Sequence, residues 1–497
     1  MRLSRVLPAL ALLAAARPAL AQGATCPVDV YQPVQLAQAG LNINKAAQMA
    51  DSTGALKPLR DAMKSLQDER KFVNNPVGAG YLRAQIYILW LHQAGQGDRI
   101  TRERMGDKGI KTEEIDLVAT ADSLFKLVEA LDPSCAAETN QWRGSKPWTE
   151  RINKAYQFLA AEKLDSAEFY ANRSSQLNPS SPFVHNIFAQ IANKKGDVPT
   201  MLAHLRTAIT EAVKDTTLGE TTKQMQFQLA QTAQSYALTG GAAQKNELYK
   251  EAMAIYTMLL ANSPGGSEGA YSFSAASEIV SLQQDTAGAR ALLAPLVADP
   301  APYSDLTLLL AADLARMNNR NSDAMVMYVG ALAKNPNIRD ANYFLAYMYY
   351  EAKQPDKMLP LTDKLIEIDP SNGDNYLMRA YAYQLMASAE RDPRKKAEYT
   401  KTQDSLAARE TVLAGQHKLT ISRFERREQG AALGGVIENL GKAPKAFTVK
   451  MDFMDAAGTV VETVTVEVPA VKPGERGPFE MTATKPGIVA YKYEALK

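Results

Sequence analysis

The stretch PNIRDANYFLAYMYYEAKQPDKMLPLTDKLIEIDP, residues 336–370, begins and ends on prolines that stand 34 residues apart. Each proline stops the helix before it, because it lacks an amide donor and its ring clashes with the preceding turn. The same ending recurs at Pro133, Pro179 and Pro264, in ALDPS, LNPSS and ANSPG. Twelve residues before each proline lies the position where a second helix must approach the first. It is Ala121, Ala167, Ala252 and Ala324, with Met358 as the exception. Small side chains there let two helices pack tightly. A fixed period of this size predicts stacked helix pairs, each burying its apolar face on its neighbours.

This register resembles that of the tetratricopeptide repeat (TPR) family. Its pattern is large–Leu–small–Tyr on a first helix A, then Ala, aromatic, Ala and Pro on a second helix B. Residues 305–336 fit through Ala312, Ala324, Tyr328, Ala331 and Pro336, and residues 339–370 through Leu345, Ala346, Tyr349 and Pro370. After Pro179, Phe188, Ala189, Gly196, Leu205 and Ala208 fit in turn, and a further helix A opens near 373 with Tyr376, Ala380 and Tyr383. Units around 79–133, 220–264 and 270–300 diverge. The first carries an insertion, QGDRITRERMGDKGIK, whose glycines and charges predict an exposed loop.

The resemblance spans residues 35–414 and implies an all-α solenoid, after an N-terminal arm at 22–34. It also implies a protein or peptide partner held in a groove lined by the A helices. In the family's register the groove residues are Tyr343, Tyr347 and Tyr350, then Tyr381 from the next repeat and Asp313 and Arg316 from the previous one. Tyr349 falls at a packing position. Tyrosine supplies rigid apolar area with a polar tip, which suits recognition of a peptide. It suits a sugar as well, so the alternative is an exported glycan-binding protein. A structural use of the same residues, with the C-terminal part docked over them, is the third possibility. The charged cluster that repeat families use to clamp a free carboxylate is not apparent.

From about 415 the period changes. FTVKMDFMDAAGTVVETVTVEVPAV alternates apolar and polar residues, with Phe447, Val449, Met451 and Phe453 on one face of a strand. DAAG, KPGERG and TKPGIV supply turns. About seven short strands in 415–497 predict a small all-β sandwich. MDFMDAAG, through Asp455 and Gly458, resembles the FxLYD type of bacterial immunoglobulin-like envelope domain. Met451, Phe453 and Met454 depart from that motif's letters. The resemblance implies an accessory domain without chemistry of its own.

The opening residues, MRLSRVLPALALLAAARPALAQ, combine Arg2 and Arg5, an apolar run and Ala19-Leu20-Ala21. They predict a cleaved secretory signal over 1–21 and hence a periplasmic or secreted protein. The apolar run is roughly half of the ~20 residues a membrane span requires, and no later run approaches that length. Thr25 before Cys26 departs from a lipoprotein signal. Loss of Arg2, Arg5 and Arg17 with the signal takes 56 Lys+Arg to 53, against 54 Asp+Glu. That balance gives no long-range field for nucleic acid or anionic lipid. Cys26 and Cys135 are the two cysteines. In an oxidising compartment the expectation is a bridge tying the N-terminal arm to a later loop, with two isolated thiols as the alternative.

No pattern of catalytic or metal-binding residues stands out. GGSEG at 265–269 matches G-x-S-x-G around Ser267, but a helix, not a strand, is expected before it. His92, His185, His204 and His417 form no H-x-x-x-H pair, although His185 and His204 can meet across one helix pair. GVIENLGKA lacks the spacing and the hydroxyl of a phosphate-binding loop. The expectation is a non-enzymatic scaffold of the cell envelope with no cofactor and no metal. Nothing in the sequence sets its oligomeric state.

Overall fold

The structure, a computed structural model, describes residues 26–29, 33–49, 52–92, 97–239 and 244–496. The expected secretory signal lies outside the described residues. An all-α, TPR-like solenoid is followed by a small all-β sandwich, and the chain divides into two compact units, residues 1–226 and 227–497.

The first unit holds α1 (Val34–Ala47), α2 (Ser52–Ser65), α3 (Pro76–Leu91), β1 (Arg99–Thr101), α4 (Arg102–Met105) and β2 (Glu114–Asp116). It continues with α5 (Leu117–Leu131), α6 (Ala136–Arg143), α7 (Lys146–Ala160), α8 (Leu164–Leu177), α9 (Pro182–Lys195) and α10 (Val198–Ala212). α11 (Gly219–Thr239) runs into the second unit. That unit continues with α12 (Lys245–Asn262), α13 (Ser267–Leu282), α14 (Thr286–Ala298), α15 (Asp305–Met317) and α16 (Asn321–Lys334). α17 (Arg339–Glu351), α18 (Pro355–Ile368), α19 (Gly373–Ala389) and α20 (Pro393–Ala414) complete the helices. Successive helices pack in pairs, among them α7 with α8, α9 with α10, α15 with α16 and α17 with α18.

The pairs close where the sequence places its small residues. Ala121, Ala167, Ala252 and Ala324 are fully buried, and the exception Met358 is fully buried too. Its unbranched thioether adapts to the space an alanine would leave. Each repeat-ending proline excludes helical backbone from the residue before it. Asp132, Asp299 and Asn335 are accordingly extended, at φ −147°, −148° and −145°, and Asp369 is non-helical at φ −137° and ψ 62°. Two buried asparagines then tie such turns to the next helix. Asn342 Nδ2 donates to the carbonyls of Pro336 and Ile338 at 2.9 and 2.8 Å. Asn375 Nδ2 donates to that of Asp369 at 2.8 Å.

The insertion in the first unit is not the exposed loop its glycines and charges predict. β1 and β2 pair antiparallel with Ile100 opposite Ile115, and Ile100, Met105 and Ile115 are buried. Arg102 holds the ribbon together, donating to Glu113 at 2.7 Å and to Asp107 at 2.5 Å. Strands of three residues are too short to display a period in sequence. Cys26 and Cys135 are joined by a disulfide across a separation of 109 residues, with their Cα atoms 4.6 Å apart. The bridge fastens the N-terminal arm beneath the turn that follows α5.

The sandwich has six strands where the sequence suggested about seven. They are β3 (His417–Arg426), β4 (Ala431–Asn439), β5 (Lys445–Met454), β6 (Val460–Val471), β7 (Arg476–Ala483) and β8 (Ala490–Tyr493). Two three-stranded antiparallel sheets form, in the orders β3-β4-β7 and β6-β5-β8. The lower number follows from long strands, since Val460–Val471 is one element of 12 residues. Phe447, Val449, Met451 and Phe453 all point into the core, as their alternation requires. Between β5 and β6, Asp455 Oδ1 accepts from the Thr459 amide at 2.9 Å, and Gly458 takes a φ of +86° that other residues resist.

Replacing both cysteines by serine is expected to lower the unfolding free energy of the first unit by about 2–5 kcal/mol, because the denatured chain regains the freedom of a long loop. Urea unfolding followed by circular dichroism reads the effect. Superimposable curves for the two proteins would show that the bridge contributes no stability.

Candidate functional site

The six residues picked out by the repeat register lie on α15, α17 and α19, the A helices of successive pairs in the second unit. α17 begins with Asp340 in its first turn, favourable against the positive end of the helix. It ends where Lys353 turns left-handed at φ 55° to hand over to α18. Ala346 and Met348 face inward along it, leaving the tyrosines to a second stripe.

Those tyrosines are not equivalent. Tyr343, Tyr350 and Tyr381 are half-buried and pack against Ala346, Met358, Met378 and Ala382. Tyr347 alone among them is well exposed, at 47%. The Tyr350 and Tyr381 ring centroids are 5.3 Å apart across two helices, and Tyr347 extends the row with its centroid 6.5 Å from Tyr350. Burial holds the Tyr343 phenol above its ordinary pKa. Tyr349 is half-buried rather than core, with Lys357 Nζ 5.2 Å from its ring.

Asp313 and Arg316 sit beside this row but are engaged within the solenoid. The Tyr328 hydroxyl donates to Asp313 Oδ1 at 2.6 Å, and the Arg316 guanidinium lies 4.0 Å from the Phe344 ring centroid. Arg316 also approaches Asp313 at 3.6 Å. Burial raises the Asp313 pKa even though the Tyr328 hydrogen bond pulls it down. Neither charge stands ready to grip a ligand's terminus.

The sandwich meets the solenoid elsewhere, at the rim where the A helices begin. Arg426 Nη1 donates to both carboxylate oxygens of Asp305, at 2.9 and 3.0 Å. Asn335 Nδ2 donates to Asp305 at 3.0 Å and to the Val489 carbonyl at 3.3 Å. The Tyr493 hydroxyl donates to Asp369 Oδ1 and accepts from the Ser371 amide at 3.3 Å. Arg339 Nε donates to the other oxygen of Asp369 at 2.7 Å. Burial, helped by the Asp369 charge, pushes the Tyr493 phenol far above its ordinary pKa, which keeps its donor proton in place. None of these hydrogen bonds is made to the four tyrosines, although the Arg339 guanidinium lies 5.9 Å from the Tyr343 ring centroid. Tyr347 is eight residues beyond Arg339, about 12 Å along the helix.

Asp305, Asn335 and Asp369 were not singled out from sequence. For the last two a signal exists, since each is the polar residue directly before a repeat-ending proline.

Elsewhere the motifs resolve without chemistry. Ser267 is exposed at the start of α13 and follows helix α12, so no strained strand-to-helix turn presents it. His185 and His204 do meet, Nδ1 to Nδ1 at 3.3 Å between α9 and α10. Burial lowers the pKa of both, and the His204 ring stacks on Phe188 with centroids 5.1 Å apart. Among the described residues no three His, Cys, Asp or Glu side chains group to hold a metal, and no helix is long and apolar enough to cross a membrane.

No protein-family model matches the chain, and no curated protein sequence matches it. Among solved structures it is similar to a tetratricopeptide repeat protein from Parabacteroides merdae ATCC 43184, at 15% identity and TM-score 0.26, over 52% of this chain and 98% of that one. It is similar to the TPR2AB domain of yeast Sti1 in its complex with pHSP90, at 15% identity and TM-score 0.23, over 54% and 93% of the two chains. The TPR domain of P58(IPK) aligns at 11% identity and TM-score 0.19, over 75% of this chain and 98% of that one.

Tyr493→Phe leaves the buried Asp369 carboxylate and the Ser371 amide each short of a partner. The expected cost is about 1–3 kcal/mol, read from chemical unfolding of the second unit. An unchanged midpoint would mean the rim contact adds nothing to stability. His417 gives a second test. It is buried beside Phe447 with neither ring nitrogen hydrogen-bonded, and burial, reinforced by Lys445, lowers its pKa. The folded protein keeps it neutral, whereas the unfolded chain takes up a proton below about pH 6.5. Its contribution to stability is therefore present above that pH and is lost as the pH falls. His417→Phe should flatten the acid-side fall of the urea midpoint between pH 8 and pH 5. The same slope in both proteins would trace that fall to other groups.

Proposed function

We propose that this chain is a non-catalytic interaction scaffold of the bacterial cell envelope, holding a protein or peptide partner on the A-helix face of its second unit. One observation carries the reading: the row formed by Tyr347, Tyr350 and Tyr381 remains open, with Tyr347 47% exposed, although a whole domain packs on the same solenoid. Large, rigid rings with polar tips anchor partners at low entropic cost. Asp313 and Arg316 are already engaged by Tyr328 and Phe344, so shape and aromatic contact select the partner, and charge has a minor part. The sequence of residues 1–21 supports export. The Cys26–Cys135 bridge supports an oxidising compartment.

A photo-crosslinking side chain at Tyr347, used in intact cell envelopes, tests this. A discrete protein adduct is expected there and not from the same probe at Val329, an exposed residue of α16. An adduct equally strong at both positions, or none at Tyr347, would sink the reading.

A further inference from the structure

Strand β3 is the outer member of its sheet and is hydrogen-bonded to β4 alone. Its other side presents main-chain N–H and C=O groups that no other strand among the described residues meets. Such an edge pairs with any extended chain that reaches it, unless it is blunted or covered. Here it is covered at a distance. Tyr271 of α13, Leu306 and Leu309 of α15, and Ile338 ahead of α17 stand across from it, and a cavity of about 430 Å³ separates them from the strand. The size falls within the range of ligand sites.

The shape and chemistry of this cleft define its occupant. It follows Ile421–Arg426, a stretch in which the pairing of β3 with β4 shifts register between Ile421 and Arg423, so that the regular edge is Arg423–Arg426, about 13 Å of extended chain at 3.3 Å per residue. Apolar side chains stand beside that edge: Ile421 and Phe424 are half-buried on the strand, and Tyr271 opposite is 57% exposed. Every charge lining it has an opposite charge in contact. Arg426 lies on Asp305 at 2.9 Å, and Arg339 lies on Asp340 at 2.8 Å and Asp369 at 2.7 Å. Arg423 reaches Glu480 at 3.4 Å, and Glu425 is held by Arg427 at 3.0 Å. A charged ligand would have to break one of these pairs. The cleft is also continuous with the rim interface, since Arg426 and Val489 contribute to both.

We propose that this cleft binds an extended, uncharged peptide segment, which adds as a further strand to the free edge of β3 and rests its apolar side chains on Tyr271, Leu306 and Leu309. The site shares no residue with the tyrosine row on α17 and α19 and goes beyond the function proposed above. β-Strand addition draws affinity from main-chain hydrogen bonds and specificity from alternate side chains.

The probe is a fluorescently labelled eight-residue peptide of alternating threonine and valine, acetylated and amidated, titrated into the full chain and read by anisotropy. Two partners of the probe carry N-methyl groups on alternate residues, one set on each edge. Methylation of one edge is expected to weaken binding by about tenfold or more, while methylation of the other leaves it unchanged. Leu309→Glu should weaken the unmethylated probe to a similar degree, and Tyr347→Ala should not. No saturable binding, or binding indifferent to both methylated sets, overturns the proposal. So does loss of binding with Tyr347→Ala, which would place the peptide on the tyrosine row. A dimer of the free protein in sedimentation that the probe cannot dissociate overturns it as well, because a second copy would then own the edge.

Discussion

Where a proline ends a B helix it excludes helical backbone from the residue before it, and much of the second unit depends on what that residue does with its side chain. Asn335 and Asp369 are buried in these turns. A buried amide or carboxylate is costly unless its hydrogen bonds are made. Asn335 Oδ1 takes the Asn337 amide at 3.2 Å, while its Nδ2 reaches Asp305 and the sandwich. Asp369 is shared between Arg339, Asn372 and Tyr493. The constraint that sets the period of the repeat thus also builds the rim on which the sandwich is anchored.

The separation between rim and tyrosine row gives the second unit two surfaces of different character. The rim is polar and buried, and Asp305, Asn335 and Asp369 are engaged in contacts within the chain. The tyrosine row is aromatic, with Arg339 of the rim 5.9 Å from the Tyr343 ring centroid and with Asp313 and Arg316 engaged by Tyr328 and Phe344. Stacking Arg316 on Phe344 is itself a stabilising use of the cation, since a guanidinium over a ring is worth roughly 0.5–2 kcal/mol.

Much of this was legible in the chain. The helix pairs follow from the prolines and from Ala121, Ala167, Ala252 and Ala324, because a period repeated several times averages out local exceptions such as Met358. The sandwich core follows from the alternation at Phe447, Val449, Met451 and Phe453. What was not legible joins residues far apart in sequence. Tyr493 and Asp369 are 124 positions apart, and no local pattern marks them as partners. The ribbon at Arg99–Asp116 escaped notice for the opposite reason: its strands are too short to be periodic, and Ile100, Met105 and Ile115 are scattered among charges. The register placed Asp313 and Arg316 beside the tyrosines, but it says nothing of ring stacking, which depends on side-chain direction.

The pairing of Tyr493 with Asp369 has a consequence for biosynthesis. Translation delivers α18 and its closing turn long before it delivers β8, so a nascent chain holds the Asp369 carboxylate with one intended partner still unmade. Water must solvate that carboxylate in the meantime, and the surrounding rim stays wet until the sandwich arrives to expel it. A ribosome that stalls between the two therefore releases a product whose repeats are formed but whose rim is hydrated and loose. Such a product differs from the finished chain in the exposure of one acidic turn.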